Sequence, residues 1–228
     1  MPTYEGLRLK ILEVKRKGFA EQRRKKLTQT DFTIISNNCW GGMVYESYDI
    51  PKESPTVGLF FVASDYIRFL DHLKEYLTNT KLTFINPKDS RWKKEVESDK
   101  RFGHYPVGVL KLDEKDPGVE IFFLHYQDEQ QAREKWQRRC QRVNFDKLLV
   151  KFNDQNGCTE MDVKKFSQLP FKNKLFFTIR GGYSKYSNSC LRVIVVPQIL
   201  EKRFITASHE PFGKTRQLNM TEILNSLT

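Results

Sequence analysis

The chain reads as an α/β protein: a mixed sheet flanked by helices in Rossmann-like layers, preceded by a basic N-terminal helix. Three observations predict this. Short apolar, β-branched runs such as Phe32–Ser36 and Leu148–Phe152 alternate with stretches whose apolar residues recur at helical spacing. The runs 107–112 and 119–124 flank Asp113, Asp116, Pro117 and Gly118, a turn that demands antiparallel pairing. No Pro/Gly/Ser linker cuts the 228 residues, enough for one sizeable core. The expected division is a basic helix over residues 1–28, packed on or docking from the core, and a single α/β domain over residues 29–228.

In chain order, Leu7, Ile11 and Val14, broadened by Leu9 and Leu12, predict a helix over 5–27 that Gly18 bends or divides. The stripe is confined to its first half, which favours docking on the protein's own body. A strand follows at 32–36 and another at 57–63. Tyr66, Phe69, Leu70, Leu73 and Leu77 mark a helix capped by Ser64 or Asp65. Residues 82–85 form a short strand, and 86–104 a polar loop with a helical turn. After the hairpin, residues 128–143 are the clearest helix, opened by Asp128 and Glu129 and closed by Arg138, Arg139 and Arg142, as the helix dipole favours. Ala132, Trp136 and Cys140 form its apolar seam. Strands at 148–152, 175–179 and 191–196 enclose a helix over 159–169, Pro197 stops the last strand, and a short helix covers 221–227.

Composition narrows the function. The longest apolar runs are far too short to span a bilayer, and the first residues lack the apolar core of a signal peptide, so a cytoplasmic location is expected, peripheral at the inner membrane face if the basic helix docks there. Cys39, Cys140, Cys158 and Cys190 show no CxxC pair, which fits free thiols in a reducing compartment. The net charge is +11, and residues 1–30 carry +6 of it. A basic end suits an anionic partner: an anionic membrane surface, a partner protein reached through residues 5–27, or a nucleotide-linked substrate. No helix-turn-helix, zinc-finger or RNP signature is present, so nucleic acid is not the expected partner.

Several strands end in residues that carry chemistry. The first runs into Asn37-Asn38-Cys39-Trp40-Gly41-Gly42, the hairpin's second into His125-Tyr126, a later one into Asn153-Asp154, and another into Arg180-Gly181-Gly182. In parallel sheets, ligands bind beyond the carboxyl ends of strands, so these ends are expected to share one edge. Asn37 and Asn38 both donate and accept, which suits a hydroxyl-rich ligand. Trp40 is a candidate platform, and Gly41 and Gly42 allow close backbone approach. His125 or Asp154 is the candidate general base, and Cys39 a nucleophile if a base reaches it. Arg139, Arg142 and Arg180 are candidates for binding phosphate, with Tyr126 beside them. No spacing of His, Cys, Asp or Glu suits a metal, and no protein-held metal or cofactor is expected.

The run from Phe32 to Gly42, followed by Tyr45 and Ser64-Asp65-Tyr66, resembles a bacterial family labelled exopolysaccharide or capsule biosynthesis proteins. So does the block Ile121 to Tyr126 with Ala132, Lys135-Trp136, Arg138-Arg139, Asn144 and Val150-Lys151-Phe152. The resemblance covers nearly everything after the N-terminal helix. It implies a role in surface-polysaccharide assembly in the bacterial cytoplasm. Combined with the residues above, the expected activity is a transferase acting on a nucleotide-linked or phosphorylated sugar. The alternatives are a Cys-His hydrolase or acyl transferase on a glycan, and a non-enzymatic scaffold of the polysaccharide machinery.

Overall fold

The computed structural model describes residues 4–196 and 218–228. Two helices, α1 (Tyr4–Gly18) and α2 (Ala20–Arg24), precede β1 (Thr33–Ser36) and α3 (Trp40–Tyr48). Next come α4 (Ala63–Asp71), α5 (Leu73–Thr78), β2 (Thr83–Ile85), a 3-10 turn at Pro87–Asp89, α6 (Lys93–Val96), β3 (Val107–Leu110) and β4 (Val119–Phe122). The remainder is α7 (Glu129–Cys140), β5 (Leu148–Asn153), α8 (Glu160–Gln168), β6 (Lys174–Thr178), a 3-10 segment at Gly181–Tyr186, β7 (Leu191–Val195) and α9 (Met220–Asn225).

The strands form two sheets rather than one. A parallel sheet runs β1-β5-β6-β7, and an antiparallel sheet runs β2-β3-β4. Both faces of β1, β5 and β6 are covered, so these strands are buried along their whole length and mostly apolar, while the edge strand β7 alternates buried and exposed residues. Ile34, Leu149, Leu175 and Phe177 face α3 and α9, while Ile35, Val150, Phe152 and Phe176 face α4, α7 and α8. This three-layer arrangement is the α/β class that the alternation predicts. Local chemistry places the helices: Asp128 caps α7 by accepting from the Gln131 amide at 2.7 Å, and Thr159 and Asp162 form a capping box on α8.

Four local expectations are corrected. Residues 57–63 form no strand; Gly58 turns left-handed at φ 79°, and only Phe60 pairs with Phe122, each amide bonding the other's carbonyl at 3.0 Å. The Phe61 amide instead reaches the Asn37 carbonyl at 3.1 Å. Asp65 does not cap α4; it is buried and accepts from Arg91 Nη2 at 2.6 Å, Trp92 Nε1 at 2.8 Å and the Glu120 amide at 2.8 Å. Helix α3 begins where a glycine loop is expected. The N-terminal helix divides at Phe19, and α1 and α2 pack on α3, Arg23 donating to the Ser47 carbonyl. Yet Leu7, Ile11 and Val14 stay exposed, so the stripe does not dock on the body. Pro197 lies outside the described residues. Among the described residues, no helix is long and apolar enough to cross a membrane.

Candidate functional site

At the carboxyl edge of the parallel sheet stands a buried lysine. Lys151, on β5, is fully buried, and its Nζ donates to three side-chain amides: Asn37 Oδ1 at 3.2 Å, Asn38 Oδ1 at 3.0 Å and Asn153 Oδ1 at 2.7 Å. Asn38 Nδ2 closes the ring by donating to Asn153 Oδ1 at 2.9 Å, and Asn153 passes a bond on to Gln155. Nζ also lies 5.9 Å from the Trp40 ring and 5.7 Å from the Phe177 ring, over which a cation is favoured. Burial nevertheless pushes this amine well below the ordinary lysine range, because neutral amides replace water less well than a carboxylate would.

This cage reassigns the asparagines. Asn37 and Asn38 are buried and hold Lys151; their side chains do not face an open ligand site. Asn37 Nδ2 has no partner among the described residues. Asn38 Oδ1 also accepts from the Trp40 amide at 3.2 Å, fixing the entry to α3. Trp40 is buried against Phe177, ring centres 5.6 Å apart, so it offers no ligand platform. Gly41 and Gly42 lie within α3 and serve packing. A Cβ on Gly41 would stand 3.2 Å from Ile34 Cγ2, and one on Gly42 3.1 Å from Val57 Cγ1.

Beside the cage lies a cleft of about 530 Å³. Cys39, Gly42, Met43 and Glu46 of the α3 segment form one wall; Val57, Gly58, His125, Tyr126, Lys135 and Arg139 form the other, with Glu13 and Lys52 at its rim. His125 follows β4 of the antiparallel sheet, so it does not arrive by way of the parallel edge. It reaches the cleft because its amide donates to the Gly58 carbonyl at 3.0 Å. Tyr126 OH donates to the Val57 carbonyl at 2.6 Å and accepts from Arg139 Nη1 at 2.7 Å.

The cleft's charges divide cleanly. Lys52 pairs with Glu46 at 2.5 Å and Lys17 with Glu13 at 2.8 Å. Arg139 bonds only neutral oxygens, those of Tyr126 and Val57, and Lys135 Nζ sits 5.4 Å from the Tyr126 ring. Among the described residues no carboxylate pairs with either cation. Burial, helped by the Arg101 charge, holds the His125 imidazole below its ordinary value, so it is neutral and can accept a proton. Burial pushes the Cys39 thiol up to about 11, against the opposing pull of Arg101 and Lys151.

The other candidates lie elsewhere. Asp154 is at the end of β5, accepting from Thr178 Oγ1 at 2.5 Å, outside the cleft lining. Burial raises its carboxyl above the usual range. Arg180 donates to Tyr183 OH at 2.9 Å, and Arg142 meets Glu53 at 3.4 Å. The structure thus gathers Cys39, Gly42, His125, Tyr126 and Arg139. It adds Glu46, Lys52 and Lys135, and it buries Lys151 behind them. The spacing of Cys39, Gly42, Met43 and Glu46 is the signal for one helix face, once a helix is recognised there. No three His, Cys, Asp or Glu side chains among the described residues cluster as a metal site would require.

Comparison with known proteins bears on the chain as a whole. An uncharacterized protein of Haemophilus influenzae (strain ATCC 51907 / DSM 11121 / KW20 / Rd) is 39% identical over 155 residues, which is 68% of this chain and 65% of that protein. Residues 10–206 match the family described as "Domain of unknown function (DUF1919)", a span holding the cage and every residue of the cleft. With most of its length matched, the chain belongs to the DUF1919 family.

Proposed function

We propose that the chain is a transferase of bacterial surface-polysaccharide assembly, acting in the cytoplasm on a sugar carried by a phosphate or nucleotide diphosphate. One observation carries the reading: Arg139 and Lys135, two cations with neutral partners only, share a cleft with a neutral histidine. A phosphate supplies the charge those cations lack, and Arg139 is pre-aimed by Tyr126. His125 takes the proton of an acceptor hydroxyl. The freed oxygen bonds to the anomeric carbon, the bond from that carbon to the phosphate oxygen breaks, and the phosphate leaves with the electron pair. Arg139 and Lys135 stabilise that departing charge. The polysaccharide setting rests on the resemblance of the two sequence blocks, and the phosphate chemistry rests on the cleft.

The test is calorimetric titration with a uridine diphosphate sugar, followed by turnover with an acceptor glycan. Arg139→Gln should weaken binding by roughly tenfold, the contribution of a charge-assisted hydrogen bond. His125→Ala should retain binding and lose turnover. Binding indifferent to Arg139→Gln, or full turnover without His125, would overturn the reading.

Cys39 lines the same cleft as His125, which favours one second reading, a Cys-His hydrolase or acyl transferase. It requires a thiolate, whereas burial keeps this thiol protonated at neutral pH. Alkylation of Cys39 by iodoacetamide faster than a model thiol would support the second reading; slower alkylation would exclude a preformed nucleophile.

A further inference from the structure

We propose that α1 docks on the surface of an anionic phospholipid bilayer. The observation is a stripe that the fold leaves uncovered: Leu7, Ile11 and Val14 are 53%, 48% and 70% exposed. At about 100° per residue these three positions fall within roughly 60° of one another around the helix. Lys10 and Lys17 flank the stripe on one side and Lys15 on the other, all exposed and within about 90° of its centre. Helix α1 packs on α3, yet the stripe itself stays exposed.

Charge and length select the occupant. A stripe bordered by lysines suits a surface whose apolar interior lies beneath negative headgroups: the side chains enter the acyl boundary while the ammonium groups stay at phosphate level. Fifteen residues with this charge content lie in the interface and do not cross it. The proposal depends on α1 alone and stands or falls independently of the chemistry in the cleft.

The experiment is co-sedimentation of the full chain with vesicles of phosphatidylglycerol and phosphatidylethanolamine, and with vesicles of phosphatidylcholine alone, at low salt. Binding to the anionic vesicles only, reduced by added salt, is expected. Lys10→Gln and Lys15→Gln should each lower partitioning by roughly fivefold, the worth of one basic residue near an anionic surface. Ile11→Ser should lower it by a similar factor through lost apolar burial, with unchanged circular dichroism. Equal binding to neutral vesicles, or no response to these substitutions, would overturn the proposal. So would a dimer in sedimentation equilibrium that Ile11→Ser dissolves while vesicles stay unbound, since a second copy would then cover the stripe.

Discussion

Replacing Asn38 by leucine probes the cage with little change in volume. Asn38 Oδ1 accepts from Lys151 Nζ at 3.0 Å and from the Trp40 amide at 3.2 Å, both buried. Leucine leaves that amide without a partner, a loss of about 1–3 kcal/mol, and removes one bond from the Lys151 amine, about 0.5–1.5 kcal/mol. Asn153 Oδ1 keeps Lys151 as donor, so little more is lost there. The expected destabilisation is about 3 kcal/mol, a large share of a stability of roughly 5–15 kcal/mol. It appears in urea unfolding as a fall in midpoint of about 1 M or more at unchanged slope. The same substitution made on Lys151→Met should be milder by about 1 kcal/mol, because the amine donor is already gone. A loss below about 1 kcal/mol, or identical losses in both backgrounds, would show that Asn38 does not hold the lysine.

Three further outcomes follow from the same geometry. Lys151 is held well below the 10.5 of a free lysine, so between its folded value and 10.5 the unfolded chain carries a proton the folded chain lacks. Stability therefore rises with pH across that window and falls as pH is lowered through it; thermal melts of Lys151→Met should lack this slope relative to the unaltered chain. Tyr126→Phe removes the oxygen that aims Arg139 and should weaken binding of a phosphorylated sugar about fivefold in calorimetry, with folding intact. Gly41→Ala should destabilise by about 1 kcal/mol despite alanine's better helix propensity, because its Cβ meets Ile34 and Ser36 at 3.2 Å and 3.3 Å. Gly181→Ala, with nothing within 4 Å, is the control that should not destabilise in the same chemical denaturation series.

Periodicity made the layered fold legible. The runs around Ile34, Val150 and Phe176 read as buried strands because helices cover both faces of the sheet, and residues 129–140 read as a helix because Asp128 caps them and arginines close them. Helix α3 is masked in the sequence by Gly41 and Gly42, poor helix formers that allow close packing of α3 on its neighbours, Ile34 and Ser36 of β1 and Val57. The segment near Phe60 has a strand's composition, but the turn at Gly58 leaves room for a single pairing. Asn37 and Asn38 stand out in the sequence, but their partner Lys151 does not, since it lies 113 residues beyond Asn38 and only strand order brings them together. His125 and Cys39 fall in one cleft through a route that strand-end reasoning does not supply, the bond from His125 to Gly58.

That route has a mechanical consequence. Residues 57–61 are tied to both walls at once: Phe61 to the end of β1, Phe60 to Phe122, Gly58 to His125 and Val57 to Tyr126. These hydrogen bonds brace the stretch against both sides, and the aperture is expected to keep its width when a ligand enters. A site of constant width would spare a ligand the penalty of waiting on a rare competent state. Selection then rests on what the width of the opening admits, and association slows for a bulky ligand before its departure quickens.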